Sequence, residues 1–486
     1  MGGFKVNILE DLNPKKVFSF FEELTRIPHG SGNEKGISDF LVKFAKDRGL
    51  EVIQDEVLNV IIKKPAVKGY ENAPTVIIQG HMDMVCEKNK NTVHDFEKDA
   101  LDLRIEGDYV YANGTTLGAD NGIAVAYGLA ILDSDELAHP AIELFVTIGE
   151  ETGMYGAIAV NPENLKGKIL LNIDSEEEGV FLVSCAGGAT NYVKVKTEWE
   201  KAENTALRLE ITGLKGGHSG MEIIKQRGNA NKLLGRLLNS IYKEVDFNIT
   251  YISGGAKANA IPRDAEVVIT LNEENINQVK AIVNKVLESF KTELRVQDPD
   301  IDISVEEVTA QRQLTKEVTK EIISYLVVAP NGIQTMSEDI KGLVESSLNL
   351  GVMVCDEDSV TFVNAVRSSV KSLKGEIIER IESIADILGI ESITDSDYPE
   401  WQFEPKSPIR ELCIKTYKEI NGVEPKIDAI HAGLECGLLK EKMPDVDMIS
   451  FGPNLYDVHT PNEHMSISSV SRTWNFIVKL LSNMRR

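Results

Sequence analysis

The sequence predicts an α/β protein with a mostly parallel central sheet, interrupted by an inserted α+β segment. Three observations carry this expectation. Residues 75–79, 142–148 and 168–173 are short apolar, partly β-branched runs, the pattern of strands buried on both faces of a parallel sheet. Residues 1–186 alternate such runs with helical periodicity, as crossover connections require. After Cys185-Ala186-Gly187-Gly188 the texture changes to strands that alternate apolar and polar residues, mixed with long amphipathic helices. That pattern fits an antiparallel sheet covered on one face.

In chain order, residues 18–24 and 37–45 read as amphipathic helices, and residues 75–79 as a strand delivering His81. Residues 122–132, with Ala124, Val125, Ala126, Leu129, Ala130 and Ile131, read as a buried helix entered directly from Asp120-Asn121. The second and third apolar runs deliver Glu150 and Asp174. The segment 187–398 contains strands at 192–196, 207–211, 265–271 and 301–305, and helices at 229–242, 276–290, 316–327 and 375–388. Within it, residues 259–271 plus the following helix resemble 348–370 plus theirs, a candidate repeat of two similar α+β halves. Past Pro399-Glu400-Trp401 the α/β texture returns, with a helix at 411–420 and a buried strand at 448–451. The simplest organisation is one catalytic domain formed by residues 1–186 and 399–486, split around a lid at 187–398.

A chain of 486 residues holds two or three substantial cores. Its 42% apolar and 26% charged content is ordinary for a globular protein. A formal charge of -24 argues against nucleic acid or an anionic membrane as partner, since both need a basic face. The amino terminus has no signal-peptide core, and no apolar stretch is long enough to span a bilayer. Five irregularly spaced cysteines suggest neither a disulfide framework nor a thiolate zinc site, so a reducing cytoplasm fits best.

Five short motifs carry chemistry, most of them where an apolar run stops. They are His81-Met82-Asp83, Gly118-Ala119-Asp120-Asn121-Gly122, Glu150-Glu151-Thr152-Gly153, Asn172-Ile173-Asp174 and His459-Thr460-Pro461-Asn462-Glu463. In open α/β sheets, ligands gather outside the carboxyl ends of strands. On an extended segment His81 and Asp83 share one side, so the imidazole could bind a metal while the carboxylate orients it. Asp120 reads alone as a helix N-cap, but the crowded glycines around it suit a carboxylate bridging two cations. Glu150 and Glu151 repel unless a cation or proton relieves them; beside two metals, one would ligate and the other would take a proton from water. Asp174 ends its strand, whereas Glu176, Glu177 and Glu178 read as a solvated acidic face. His459 and His464 are not separated by spacing alone. Carboxylates mixed with imidazoles and no thiolate suit zinc, cobalt or manganese rather than calcium. His218, in Gly216-Gly217-His218-Ser219-Gly220, reads by itself as part of a surface turn, and His29, His94 and His139 have no partner motif.

These motifs, in this order, resemble the di-zinc exopeptidase family that includes carnosinases, aminoacylases and bacterial dipeptidases, nearest its Xaa-His (aminoacyl-histidine) dipeptidase branch. The likeness is carried by Gly80-His81-Met82-Asp83-Met84-Val85, Leu117-Gly118-Ala119-Asp120-Asn121-Gly122, Asp174-Ser175-Glu176-Glu177-Glu178-Gly179, Cys185-Ala186-Gly187-Gly188 and Ile430-His431-Ala432-Gly433-Leu434-Glu435-Cys436-Gly437. It covers essentially the whole chain. The resemblance implies two divalent metals, zinc foremost: one held by His81, Asp120 and Asp174, the other by Asp120, Glu151 and His459. His459 is chosen over His464 because the family's ligand precedes a Ser/Thr-Pro-Asp/Asn-Glu stretch. It further implies that Asp83 orients His81, Glu150 is the general base, and His218 stabilises the oxyanion. Asn259 and Arg367 would bind substrate, Arg367 at its free carboxylate, with Gly433 lining the pocket.

The implied activity is hydrolysis of unblocked dipeptides such as β-Ala-His. An aminoacylase or related amidohydrolase is the rival within enzymes, and an inactive metal-binding protein the rival outside them. Asn462 and Asn121 stand where relatives often carry Asp, and neither is a ligand position. In relatives with a short lid, a histidine like His218 serves the partner subunit. Here the long insertion suggests that its second half replaces the partner's lid, so that His218 and Arg367 serve their own chain's metals. A homodimer is compatible with this, but its interface need not supply catalytic groups.

Overall fold

The computed structural model describes residues 7–202 and 205–485, which fall into two compact units. Unit 1 runs up to Ser184 and takes in Phe403–Ala429 and the chain from Glu435 onward. Unit 2 comprises Cys185–Gln402 and the short segment Ile430–Leu434, which carries Gly433.

Unit 1 is built on an eight-stranded sheet in the order Glu51–Gln54, Val60–Lys64, Ile142–Thr147, Val76–His81, Ile169–Asn172, Asp447–Ser450, Val180–Cys185 and Lys426–Ile430. Its middle four strands are parallel and in step: Val76 pairs with Ile142 and Ile169, and Ile169 with Asp447. The flanks are antiparallel where Val60–Lys64 meets Ile142–Thr147 and where Asp447–Ser450 meets Val180–Cys185. The sheet is therefore mixed, and the strands that read as fully buried runs are parallel to one another. Val76–His81 and Ile142–Thr147 are buried at every position.

The helix Ala119–Leu132 is buried everywhere except Asp120, because it packs against both Val76–His81 and the helix Lys15–Leu24. Its approach to the sheet needs glycine at position 80, where a Cβ would collide with Asn121 Oδ1 and Ala124. A separate four-stranded sheet, Leu455–Tyr456, His464–Ser466, Tyr109–Ala112 and Leu103–Glu106, frames the loop that carries His459.

Unit 2 contains a nine-stranded antiparallel sheet made of two βαββαβ halves. In the first, the strands Thr205–Thr212, Phe247–Gly254, Ala265–Leu271 and Asp302–Val308 lie in spatial order 4-1-3-2. In the second, Gly187–Lys196, Val344–Cys355, Ser359–Ser368 and Glu391–Tyr398 lie in order 2-3-1-4, and Gly332–Met336 pairs onto Val344–Cys355. The halves join where Gly254 pairs with Met353. The helices Ala230–Tyr242, Ile276–Glu293, Lys316–Val328 and Lys371–Leu388 place apolar residues in one buried core with these strands, which explains the alternation along each of them. No helix among the described residues is long and apolar enough to cross a membrane.

Candidate metal centre and active site

The in-step parallel strands bring their polar ends to one edge of the unit 1 sheet. His81 closes one strand, Glu150 follows the next, and Asp174 stands two residues beyond Asn172. His81 is buried, and its Nδ1 lies 3.0 Å from the backbone carbonyl of Asp83 and 3.4 Å from that residue's carboxylate. The Nε2 therefore faces the acids: Asp120 Oδ1 at 3.2 Å, Asp174 Oδ1 at 3.5 Å and Glu150 Oε2 at 4.0 Å.

Asp83 does more than touch His81. Its carboxylate accepts from Ser31 Oγ at 2.7 Å and from the backbone amides of Glu150 and Glu151 at 3.0 and 3.3 Å. It thus fixes the turn carrying the acid pair, while the shorter contact to His81 comes from its carbonyl. Burial raises the Asp83 carboxyl, but His81, Ser31 and the Glu150 amide outweigh it and leave it below the ordinary value.

Asp120 sits between the two imidazoles. Its Oδ1 is 3.2 Å from His81 Nε2 and its Oδ2 is 3.2 Å from His459 Nε2, while Glu151 Oε1 reaches the same His459 nitrogen at 2.9 Å. Ligand atoms of His81, Asp120 and Asp174, and of Asp120, Glu151 and His459, form groups in which all lie within 4.8 Å of one another; His81, Glu150 and Glu151 form a third. Burial opposes ionisation of Asp120, yet its bonds to His459 and His81 hold it well below the usual carboxylate range. Asp120 and Glu151 in turn push His459 up to about 11. Burial disfavours a charged His81, but Asp120, Asp174 and Asp83 together raise it well above its ordinary value. Glu150 is raised well above 4.5 by burial, opposed by His81 and reinforced by Asp174, Glu435 and Glu151.

His464 lies outside these groups. Its ring stacks between Tyr111 at 4.7 Å and Tyr456 at 4.9 Å, so it braces the sheet that flanks the His459 loop. Two residues without an assigned role in the sequence hold the Asp120 turn. The buried carboxylate of Glu463 accepts from four successive amides, Leu117 at 2.7 Å, Gly118 at 3.1 Å, Ala119 at 2.8 Å and Asp120 at 3.3 Å. It gathers the turn ahead of the helix and ties that turn to the His459 loop. Asn121 accepts from the His81 amide at 3.2 Å and donates to the Ile173 carbonyl at 2.6 Å, linking two of the strand ends. Asn121→Ala is expected to destabilise the fold by roughly 1–3 kcal/mol for each buried backbone group left unpaired. Urea denaturation measures this, and an unchanged midpoint and slope would refute it.

In unit 2, Gly217–His218 pairs with Ala260–Ile261, which sets His218 beside Asn259; the Ser219 amide donates to the Asn259 carbonyl at 2.9 Å. Gly216 and Gly217 adopt φ of 64° and 139°, a left-handed turn that favours glycine. The amides of Gly220 and Met221 donate to His218 Nδ1 at 3.3 and 3.1 Å, leaving the proton on Nε2. Burial, then the charge of Arg367, lowers His218 below its ordinary value, so this imidazole is neutral at pH 7. Arg367 lies opposite Ser347 and Gly188 in the sheet and donates from Nη1 to Tyr398 Oη at 2.9 Å. A side chain at Gly188 would meet that tyrosine, with a Cβ 2.5 Å from its Oη. His431 joins the same group: its Nε2 is 2.7 Å from Ser347 Oγ, and burial, Arg367 and His218 push it down to about 3. Gly433 stands in the Ile430–Leu434 segment of the same unit.

With this geometry in place, comparison with known proteins gives the class. The sequence pattern of Peptidase family M20/M25/M40 matches residues 77–483, and the chain belongs to that family of metallopeptidase hydrolases. The chain is 38% identical over 479 residues to the cytosol non-specific dipeptidase of Escherichia coli (strain K12), covering 98% of this chain and 99% of that protein. Among solved structures, aminoacylhistidine dipeptidase from Vibrio alginolyticus superposes with a TM-score of 0.94 at 40% identity, covering 98% of each chain. The aminopeptidase PepT of Bacillus cereus, at 16% identity and a TM-score of 0.57 with 98% of this chain and 100% of that chain covered, shares the fold.

Proposed function

We propose that this chain is a two-metal dipeptidase. The observation that carries the proposal is Asp120, whose two carboxylate oxygens each lie 3.2 Å from a different imidazole nitrogen, the placement a carboxylate needs to bridge two cations. His81, Asp120 and Asp174 would hold one ion, and Asp120, Glu151 and His459 the other. The donors fit such a pair. Imidazole and carboxylate without thiolate suit zinc, with cobalt or manganese as substitutes. The ion-pair partners of Asp120, Glu151 and Asp174 among the described residues are His81 and His459, so cationic charge would relieve their mutual repulsion.

When bound, the metals would polarise the scissile carbonyl and bring the acidity of water toward neutrality. Glu150, its carboxyl raised by burial and its amide fixed by Asp83, takes a proton from the attacking water and returns it to the leaving amine. His218 keeps an Nε2–H to donate to the developing oxyanion. Asn259 and Arg367 bind the substrate, Arg367 at the free carboxylate, and Gly433 lines the pocket. Residues 1–186 and 399–486 act as the catalytic domain and residues 187–398 as the lid. The substrates are unblocked dipeptides, Xaa-His and β-Ala-His among them, and the location is cytoplasmic; one relative's name speaks for aminoacyl-histidine dipeptides and the other's for the cytosol.

Metal analysis, with a paired assay of β-Ala-His or Gly-His against N-acetyl amino acids, tests this. Turnover of the dipeptides alone is expected; preference for the acylated substrates would make the chain an aminoacylase, and no turnover with metals bound would leave an inactive metal-binding protein. Each chain is further expected to be catalytically complete, even within a homodimer. Mixing His218→Ala with Glu150→Ala subunits should restore no activity, whereas recovery on subunit exchange would show a shared site.

A further inference from the structure

We infer that Glu435 is an outer counter-charge for the proposed metal pair and a positioning residue for the strand ends that bear His81 and Glu150. This rests on the two-metal reading above. Glu435 has no solvent exposure. Its Oε2 accepts from Gln79 Nε2 at 2.5 Å and from Thr147 Oγ1 at 2.8 Å, while its Oε1 has no hydrogen-bond partner. Gln79 stands two residues before His81, and Thr147, which pairs with His81 across the sheet, stands three before Glu150. One carboxylate oxygen therefore joins the two adjacent strands just below the groups they deliver. Gln79 in turn accepts from Asn172 Nδ2 at 2.5 Å, extending the link to the strand that leads to Asp174.

Two neutral donors do not account for a buried acid. An uncompensated buried carboxylate is strongly unfavourable, and a neutral isostere could make the same two bonds. The start of the helix Glu435–Lys442 offsets part of that cost. Among the described residues, the charged groups acting most on Glu435 are the cationic His81, which favours its ionised form, and Asp174, which opposes it. Burial pushes the metal-free carboxyl up to about 7. Dications held by His81 and its neighbours would favour the ionised form, and groups outside the ligand set that fix the elements bearing the ligands strengthen the hold on the metal.

The test is zinc titration of the metal-free protein against a competing chromophoric chelator, with the thermal midpoint of the metal-free protein as a check on folding. Glu435→Gln, which keeps the shape and loses the charge, is expected to weaken zinc binding by about 10–100-fold. Glu435→Asp, which keeps the charge, is expected to recover most of that loss; it carries the test if the glutamine variant does not fold. Wild-type affinity in Glu435→Gln would overturn the inference, as would an aspartate variant as weak as the glutamine one. If the wild-type chain itself takes up no pair of zinc ions, the two-metal reading fails instead, a separate outcome of the same titration.

Discussion

Glu150→Ala is expected to lower kcat by about 10²–10⁴-fold while two metal ions remain bound. The expectation follows from where the side chain stands. Glu150 Oε2 is 4.0 Å from His81 Nε2, beyond the 3.2 and 3.5 Å of Asp120 and Asp174, so it borders the centre rather than completing it. Its amide is held by Asp83, and burial raises its proton affinity, which suits a group that accepts a proton and gives it back. Removing one of several crowded carboxylates also relieves repulsion, so metal content should not fall. Metal analysis beside steady-state kinetics on Gly-His checks both halves. Near-normal turnover with both metals present would remove Glu150 from the mechanism; loss of metal would make it a ligand.

The acid-bearing strand ends were legible because burial on both faces leaves continuous apolar runs, and a polar residue that stops such a run must face an opening. What escaped was whatever depends on partners distant in sequence. Glu463 reads as one more acid beside His459, yet its carboxylate gathers four amides more than 340 residues away. Glu435 stands without a role in the motif at residues 430–437, and only its burial against Gln79 and Thr147 sets it apart. Asp83 reads as the orienting group of His81, and only the structure shows that its short bonds go to Ser31 and to the acid-pair turn.

The sheet flanking His459 was missed for a different reason. Its strands are two to four residues long, too short for alternation to register, and aromatic stacking of Tyr111, His464 and Tyr456 supports them. Residues 259–271 and 348–370, the candidate repeat, each hold the third strand of a βαββαβ half and lead into its second helix. The likeness is faint because Gly187–Lys196, first strand of the second half, precedes the whole first half, so the halves are not consecutive in the chain.

Asp120→Ala is expected to weaken both metal sites at once, by more than the roughly 10–100-fold that loss of an outer partner costs, and to abolish turnover. Among the described residues, no other residue belongs to both the His81–Asp174 group and the Glu151–His459 group. The same substitution should change the proton count of metal loading. In the metal-free protein His81 is raised well above 6.5 and His459 is pushed up to about 11, so both imidazoles are charged at pH 7. The stability gained from their ion pairs is fully present below about 6.5, the ordinary histidine value, and is lost only as pH rises through the raised values. Zinc takes neutral imidazole, so loading at pH 7 must expel about two protons, and apparent affinity must climb with pH until those protons are gone. Asp120 is the largest cause of the shift at His459 and the strongest hydrogen-bond contribution raising His81. Without it both imidazoles fall toward neutrality and fewer protons leave. Calorimetric zinc titrations in buffers of different ionisation enthalpy count them. A variant that still binds two zinc ions with wild-type proton release would show that Asp120 neither bridges the metals nor holds the two histidines charged.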